Sequence, residues 1–146
     1  MHDATSLILA VGLLYTGARQ GHLLEGTLMA AGAASALILS ADLDQPYSMA
    51  RLRLTRRGGI VAQTWCTVYD QLFRHRGLSH VPVIGTLTRL VWLVGPLAIL
   101  AFVFALSPPP VEWWQPVSWW VGGLMLADTL HSVLDWLGTA IKRVRK

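Results

Sequence analysis

Apolar positions along this chain are gathered into long runs separated by polar blocks, and the length of each run predicts what it forms. The first run, residues 4–18 (ATSLILAVGLLYTGA), predicts a helix. At about 1.5 Å per residue it is short for a hydrocarbon core about 30 Å thick, so flanking residues, tilt or thinning would have to complete a span. The second, residues 23–41 (LLEGTLMAAGAASALILSA), carries one charge, Glu25, and is rich in Gly, Ala and Ser, which let membrane helices approach closely. The third, residues 82–106, is long enough to cross with tilt; Pro96 implies a kink in it rather than a stop, and Arg89 interrupts it about two turns in. The fourth, residues 117–137, follows the connector SPPPVEWWQP, whose prolines bar a continuous helix and whose tryptophans suit a membrane–water belt.

Between the second and third runs the character changes. Residues 42–80 hold Pro46, the pair Gly58-Gly59 and six arginines, which reads as a loop outside the hydrocarbon. Within it Ile60, Val61, Trp65, Val68, Tyr69, Leu72 and Phe73 recur at helical spacing, predicting an amphipathic helix that lies along the membrane surface. The expected architecture is therefore an all-α polytopic membrane bundle in a single domain, 1–146, with about four transmembrane helices and one interfacial helix.

Composition agrees. The 146 residues are 53% hydrophobic and 14% charged, with a mean hydropathy of +0.48, against about 25% charged in ordinary soluble domains. A net charge of +4 suggests nucleic acid only where a soluble fold gathers it on one face. Here the basic residues sit in blocks between apolar runs, so nucleic acid is not an expected partner and the lipid bilayer is. The 42–80 segment and the tail from Lys142 onward hold ten of the twelve Lys and Arg residues, which assigns both, and with them both termini, to the cytoplasmic side of a bacterial inner membrane. No Lys or Arg precedes Ala4, so a secretory leader is not expected. Cys66 is the one cysteine, which excludes an internal disulfide framework.

That orientation was set by Lys and Arg alone, yet it gathers histidines and carboxylates at one side. His2 leads into the first run, Asp42 and Asp44 leave the second, His75 and His80 enter the third, and Asp128, His131 and Asp135 lie in the cytoplasmic half of the fourth. Positions 128, 131 and 135 share one helix face. Ionisable groups inside a span are costly unless paired or turned toward a polar cavity, and a bound cation would satisfy them. Nitrogen and carboxylate ligands without cysteine fit one or two divalent ions, zinc first, with manganese or iron as alternatives. In a catalytic site a metal-bound water would be the nucleophile, and Arg74, Arg76 or Arg89 would receive an anionic small-molecule or lipid substrate.

The ordered pieces His2-Asp3, ADLDQPYS, HRGLSHVPVIGTLTRLVWL and the late His131-x-x-x-Asp135 resemble a family of bacterial integral membrane proteins described as metal-binding, cyanobacterial members included. The family is in turn similar to inner-membrane metal-dependent hydrolases that share an acidic pair, an HRG-x-[ST]-H element and a closing H-x-x-x-D. The resemblance spans nearly the whole chain. It implies His2, Asp42, Asp44, His75, His80, His131 and Asp135 as metal-site residues, and hydrolysis of a phosphate- or ester-containing substrate. The rival expectation is a non-catalytic membrane subunit or assembly factor whose metal or polar cluster locks its helices. Transport ranks last, because the outer halves of the runs are almost purely apolar.

Overall fold

The computed structural model describes residues 2–45, 47–72, 81 and 83–144, and for His2, Ala41 and Asp44 the backbone alone. Among the described residues the fold is all-α. Its helices are α1 (His2–Arg19), α2 (Leu23–Ser35), α3 (Met49–Leu72), α4 (Ile84–Val103) and α5 (Trp114–Val144), with 3-10 turns at Ala41–Asp44 and Val111–Trp113. Helix α1 lies along α2, and α2 lies along α5.

This trio packs through small residues. Its buried core is Ala10, Ala33, Ala36 and Ala127 around a single large side chain, Leu124. The approach of α2 to α5 is backbone against backbone: a Cβ at Gly123 would stand 1.9 Å from the Met29 carbonyl oxygen, and one at Gly32 equally near that of Trp120. Only glycine permits this contact, which is the packing mode that small-residue helices use when apolar burial does not by itself favour association.

The second run is not helical to residue 41, as expected from its composition, but only to Ser35. Beyond it the backbone tightens: the N–H groups of Ala36, Leu37 and Ile38 donate to the carbonyls three residues earlier. Tightening frees carbonyls at the helix end, which need other donors. Arginines supply them, Arg53 Nη1 donating to Leu37 O at 3.0 Å and Arg89 Nη1 to Leu39 O at 2.5 Å.

The 42–80 segment also departs from the loop expected for it. Helix α3 covers its middle, and the amphipathic stretch from Ile60 is its second arm. At Gly59 the backbone turns left-handed (φ 56°, ψ −141°), a conformation glycine adopts without a Cβ clash. The two arms fold back on each other there. Arg51, 92% buried, donates from Nη2 to Thr67 Oγ1 at 3.0 Å and lies 3.4 Å from Asp70. Ala50, Cys66 and Tyr69 are buried with Leu43 beneath this hairpin. Four of the six arginines that read as a loop signature, Arg51, Arg53, Arg56 and Arg57, therefore sit on a helix whose start is capped by Ser48, its Oγ accepting from Arg51 N.

Helix α4 runs through Pro96 without ending. It stops two turns later at Ala105, whose left-handed φ of 50° closes the helix with a Leu106 N–H to Ala101 O bond, and Pro108, Pro109 and Pro110 prevent it from restarting. By length and apolarity α4 is the one helix among the described residues able to cross a membrane, where the sequence led us to expect four. Helix α5 is longer than its apolar run, beginning at Trp114 and continuing into the basic residues Lys142 and Arg143.

Candidate metal centre

Asp42 and His131 lie far apart in sequence, and the 3-10 turn after α2 brings them together. Ser40 caps that turn, its Oγ accepting from Asp42 N at 3.3 Å, and the Gln45 side-chain amide donates to Asp42 Oδ1 at 2.8 Å. The first bond fixes the Asp42 backbone and the second its carboxylate, whose Oδ2 stands 3.5 Å from His131 Nε2. From one turn further along α5, Asp135 Oδ2 approaches the same nitrogen to 3.4 Å. The imidazole is buried, Asp42 is partly covered, and Asp135 is the most open of the three.

One helix face thus carries three candidate residues, but they divide. Asp128, a turn before His131, turns away to Arg89 on α4. Arg89 Nη2 lies 2.7 Å from Asp128 Oδ2 and Nη1 3.2 Å from Oδ1, a two-pronged pair with both side chains about 95% buried. Thr86 donates to Asp128 Oδ2 at 2.5 Å, and Arg89 Nε donates to the Gly85 carbonyl at 2.9 Å. The sequence offered Asp128 to a metal and Arg89 to a substrate; the structure pairs them with each other and with the end of α2. Thr86 and Gln45, which bond the carboxylates, and Ser40, which holds the Asp42 backbone, were not singled out from sequence. Thr86 was nevertheless visible as the residue three before Arg89, on the same face of the IGTLTRL helix.

Of the other expected site residues, the side chains of His2 and Asp44, and all of Arg74, His75, Arg76 and His80, lie outside the described residues. Among the described residues no group of three or more His, Cys, Asp and Glu is assembled into a metal-ligand set by itself. The chemistry of the pair around His131 still suits a cation. Donors held about 2.0–2.2 Å from a tetrahedral ion stand roughly 3.3–3.6 Å apart. The two oxygen-to-nitrogen separations seen here, 3.5 and 3.4 Å, fall in that interval. Near the site, Asp3 binds the Arg53 guanidinium at 2.5 Å and holds it more firmly protonated than usual, which ties the start of α1 to the hairpin.

The chain is 30% identical over 124 residues to an uncharacterized protein of Aquifex aeolicus (strain VF5), covering 72% of this chain and 84% of that protein. No solved structure matches it. A family model fits residues 1–145, and the chain accordingly belongs to the uncharacterized metal-binding protein family DUF2227.

Proposed function

We propose that this metal-binding protein is an integral membrane hydrolase whose divalent-cation centre, at the cytoplasmic ends of its helices, acts on a phosphate- or ester-containing substrate. The membrane part rests on α4. Its most apolar window has a mean hydropathy of 1.9 but is only 11% buried within the fold. A soluble protein would bury such a helix, whereas Val91, Leu97, Ile99, Phe102 and Val103 all face outward here. Ile8 and Val11 on α1 do the same. The Arg-rich hairpin follows α2 and the basic residues Lys142 and Arg143 lie in the last turn of α5, an order in keeping with a cytoplasmic position for both.

The metal part rests on a single observation: carboxylates from two different elements converge on one imidazole nitrogen at donor–donor distances suited to a shared ion. Asp42 and Asp135 would serve as anionic donors and His131 as a neutral one. Asp44, His75, His80 and His2 are the residues to complete the set, with zinc preferred and manganese or iron as alternatives for one or two ions. A bound divalent ion supplies a water acidified to a pKa of about 7 and a Lewis acid for a phosphoryl or carbonyl oxygen. The chain's own contribution is to fix Asp42 through Ser40 and Gln45, and to bring Asp135, the more open carboxylate, to the same imidazole from the neighbouring turn of α5. Arg74 and Arg76 are the cations for the substrate's charge, since the four Arg89 contacts seen here all go to protein acceptors.

Metal content of detergent-purified protein tests this reading. His131→Ala and Asp135→Ala should each lose bound metal, measured by elemental mass spectrometry, and phosphatase or esterase activity should fall with it while membrane insertion persists. Full metal occupancy in both variants overturns the centre. Metal loss with unchanged hydrolysis overturns the catalytic role and leaves a helix-locking one, which the buried Arg89–Asp128 network also favours.

A further inference from the structure

The second arm of α3 and the middle of α4 enclose an open groove of about 470 Å³ lined by Ile60, Val61, Thr64, Trp65, Val68 and Trp92. Two of its lining residues stack on each other, Trp65 on Trp92 with ring centroids 5.1 Å apart, and Tyr69 packs on the same Trp92 indole at 6.2 Å. A volume in the range of about 300–1,000 Å³ is that of a small-ligand site. The walls offer a ligand one hydroxyl, Thr64, and otherwise apolar surface. Such a groove takes an alkyl chain.

The charges beside it say which kind. Four arginines lie on the first arm of α3, and they divide in two. Arg51 is held by Thr67 and Asp70, and Arg53 by Asp3 and the Leu37 carbonyl. Arg56 and Arg57, at the exposed tip of the hairpin, have no acidic partner among the described residues. They precede the groove residue Ile60 by four and three positions, across the Gly59 turn. Ile60 and Val61, at the same tip, are 79% and 73% exposed. A bare apolar chain would leave these cations uncompensated, and a zwitterionic lipid would bring its own cation beside them, whereas a phospholipid of net negative charge would set an unopposed phosphate against the two guanidinium groups while its acyl chain enters the groove.

We propose that the α3–α4 groove is a binding site for one anionic glycerophospholipid, its chain between Val61, Val68 and Trp92 and its phosphate on Arg56 and Arg57. The proposal rests on the membrane part of the reading above and is independent of the metal. Its test is native mass spectrometry of the delipidated, full-length protein released from detergent, titrated separately with phosphatidylglycerol, phosphatidylcholine and glycerol phosphate. Phosphatidylglycerol should form the first adduct roughly tenfold or more tightly than phosphatidylcholine. The paired substitution Arg56→Gln with Arg57→Gln, on exposed residues, should erase that preference. Thr64→Trp, which fills the groove, should weaken both lipids. Equal binding of the two lipids, a preference that survives the double glutamine variant, or glycerol phosphate binding as tightly as the lipid would each overturn it. Failure of the membrane reading has a separate signature, recovery of the protein in the soluble fraction after cell lysis without detergent.

Discussion

The Arg89 guanidinium on α4 grips the Asp128 carboxylate on α5 at 2.7 Å, and neither side chain keeps more than about a twentieth of its surface exposed. Removing one partner strands the other as a buried charge, an error that costs about 3–5 kcal/mol, while replacing both by apolar groups is often nearly neutral. Arg89→Gln or Asp128→Asn should therefore destabilise the protein by about that amount. The double variant Arg89→Met with Asp128→Leu should recover most of it. Unfolding in denaturing detergent, followed by circular dichroism, reads all three.

The α2–α5 contact makes a sharper contrast between two adjacent glycines. Gly123→Ala places a methyl group inside the Met29 carbonyl and forces the helices apart, whereas Gly122 has open space around it. We expect Gly123→Ala to cost about 1–3 kcal/mol as overpacking does. Gly122→Ala should be neutral or stabilising by up to about 1 kcal/mol, the helix-propensity gain. Thermal melts of the two variants side by side check this, and equal effects would refute the close approach.

How far these features were legible in sequence depends on whether local pattern or tertiary partners decide them. Helix α4 was legible, because a long apolar run broken by a single charge carries its own signal and Pro96 was correctly allowed within it. The arm from Ile60 was legible by its three-and-four spacing. The arm from Met49 was not, since Arg51, Arg53, Arg56 and Arg57 match a loop's charge pattern and only Thr67, Asp70, Asp3 and the Leu37 carbonyl reveal why two of them belong on a buried helix. The end of α2 was missed for a related reason: Leu37 and Leu39 are apolar enough to continue the helix, but their carbonyls are claimed by arginines from elsewhere. At the site, the four-residue spacing of His131 and Asp135 was readable, whereas the arrival of Asp42 and the diversion of Asp128 to Arg89 are tertiary events.

Cys66 is 98% buried, and burial raises its thiol pKa above the ordinary value, the Arg51 charge opposing only in part. A raised pKa means less thiolate at every pH below it, and the thiolate is the form that reacts. Iodoacetamide should therefore modify Cys66 at least roughly tenfold more slowly than a free thiol at pH 7.5, the rate catching up only at higher pH or on unfolding. Labelling followed by intact-mass measurement decides it, and rapid labelling of the folded protein would contradict the packing of Cys66 beneath the hairpin.

Ala105 closes α4 in a left-handed conformation that costs an L-residue with a side chain about 1–2 kcal/mol. Ala105→Gly should relieve part of that, raising stability by about 0.5–1 kcal/mol. Ala105→Val should lower it. A calorimetric comparison of the pair separates a true left-handed cap from an ordinary frayed end.

The backbone-to-backbone seating of α2 on α5 has an implication for how this chain is made. Gly32 and Ala33 emerge from a ribosome long before residues 120–127, so during synthesis the surface they form has no cover. Co-translational folding then leaves a closely packed α1–α2 pair with one face open until the α5 sequence is delivered, and a nascent chain stalled before Trp114 should be the species that quality-control proteases recognise.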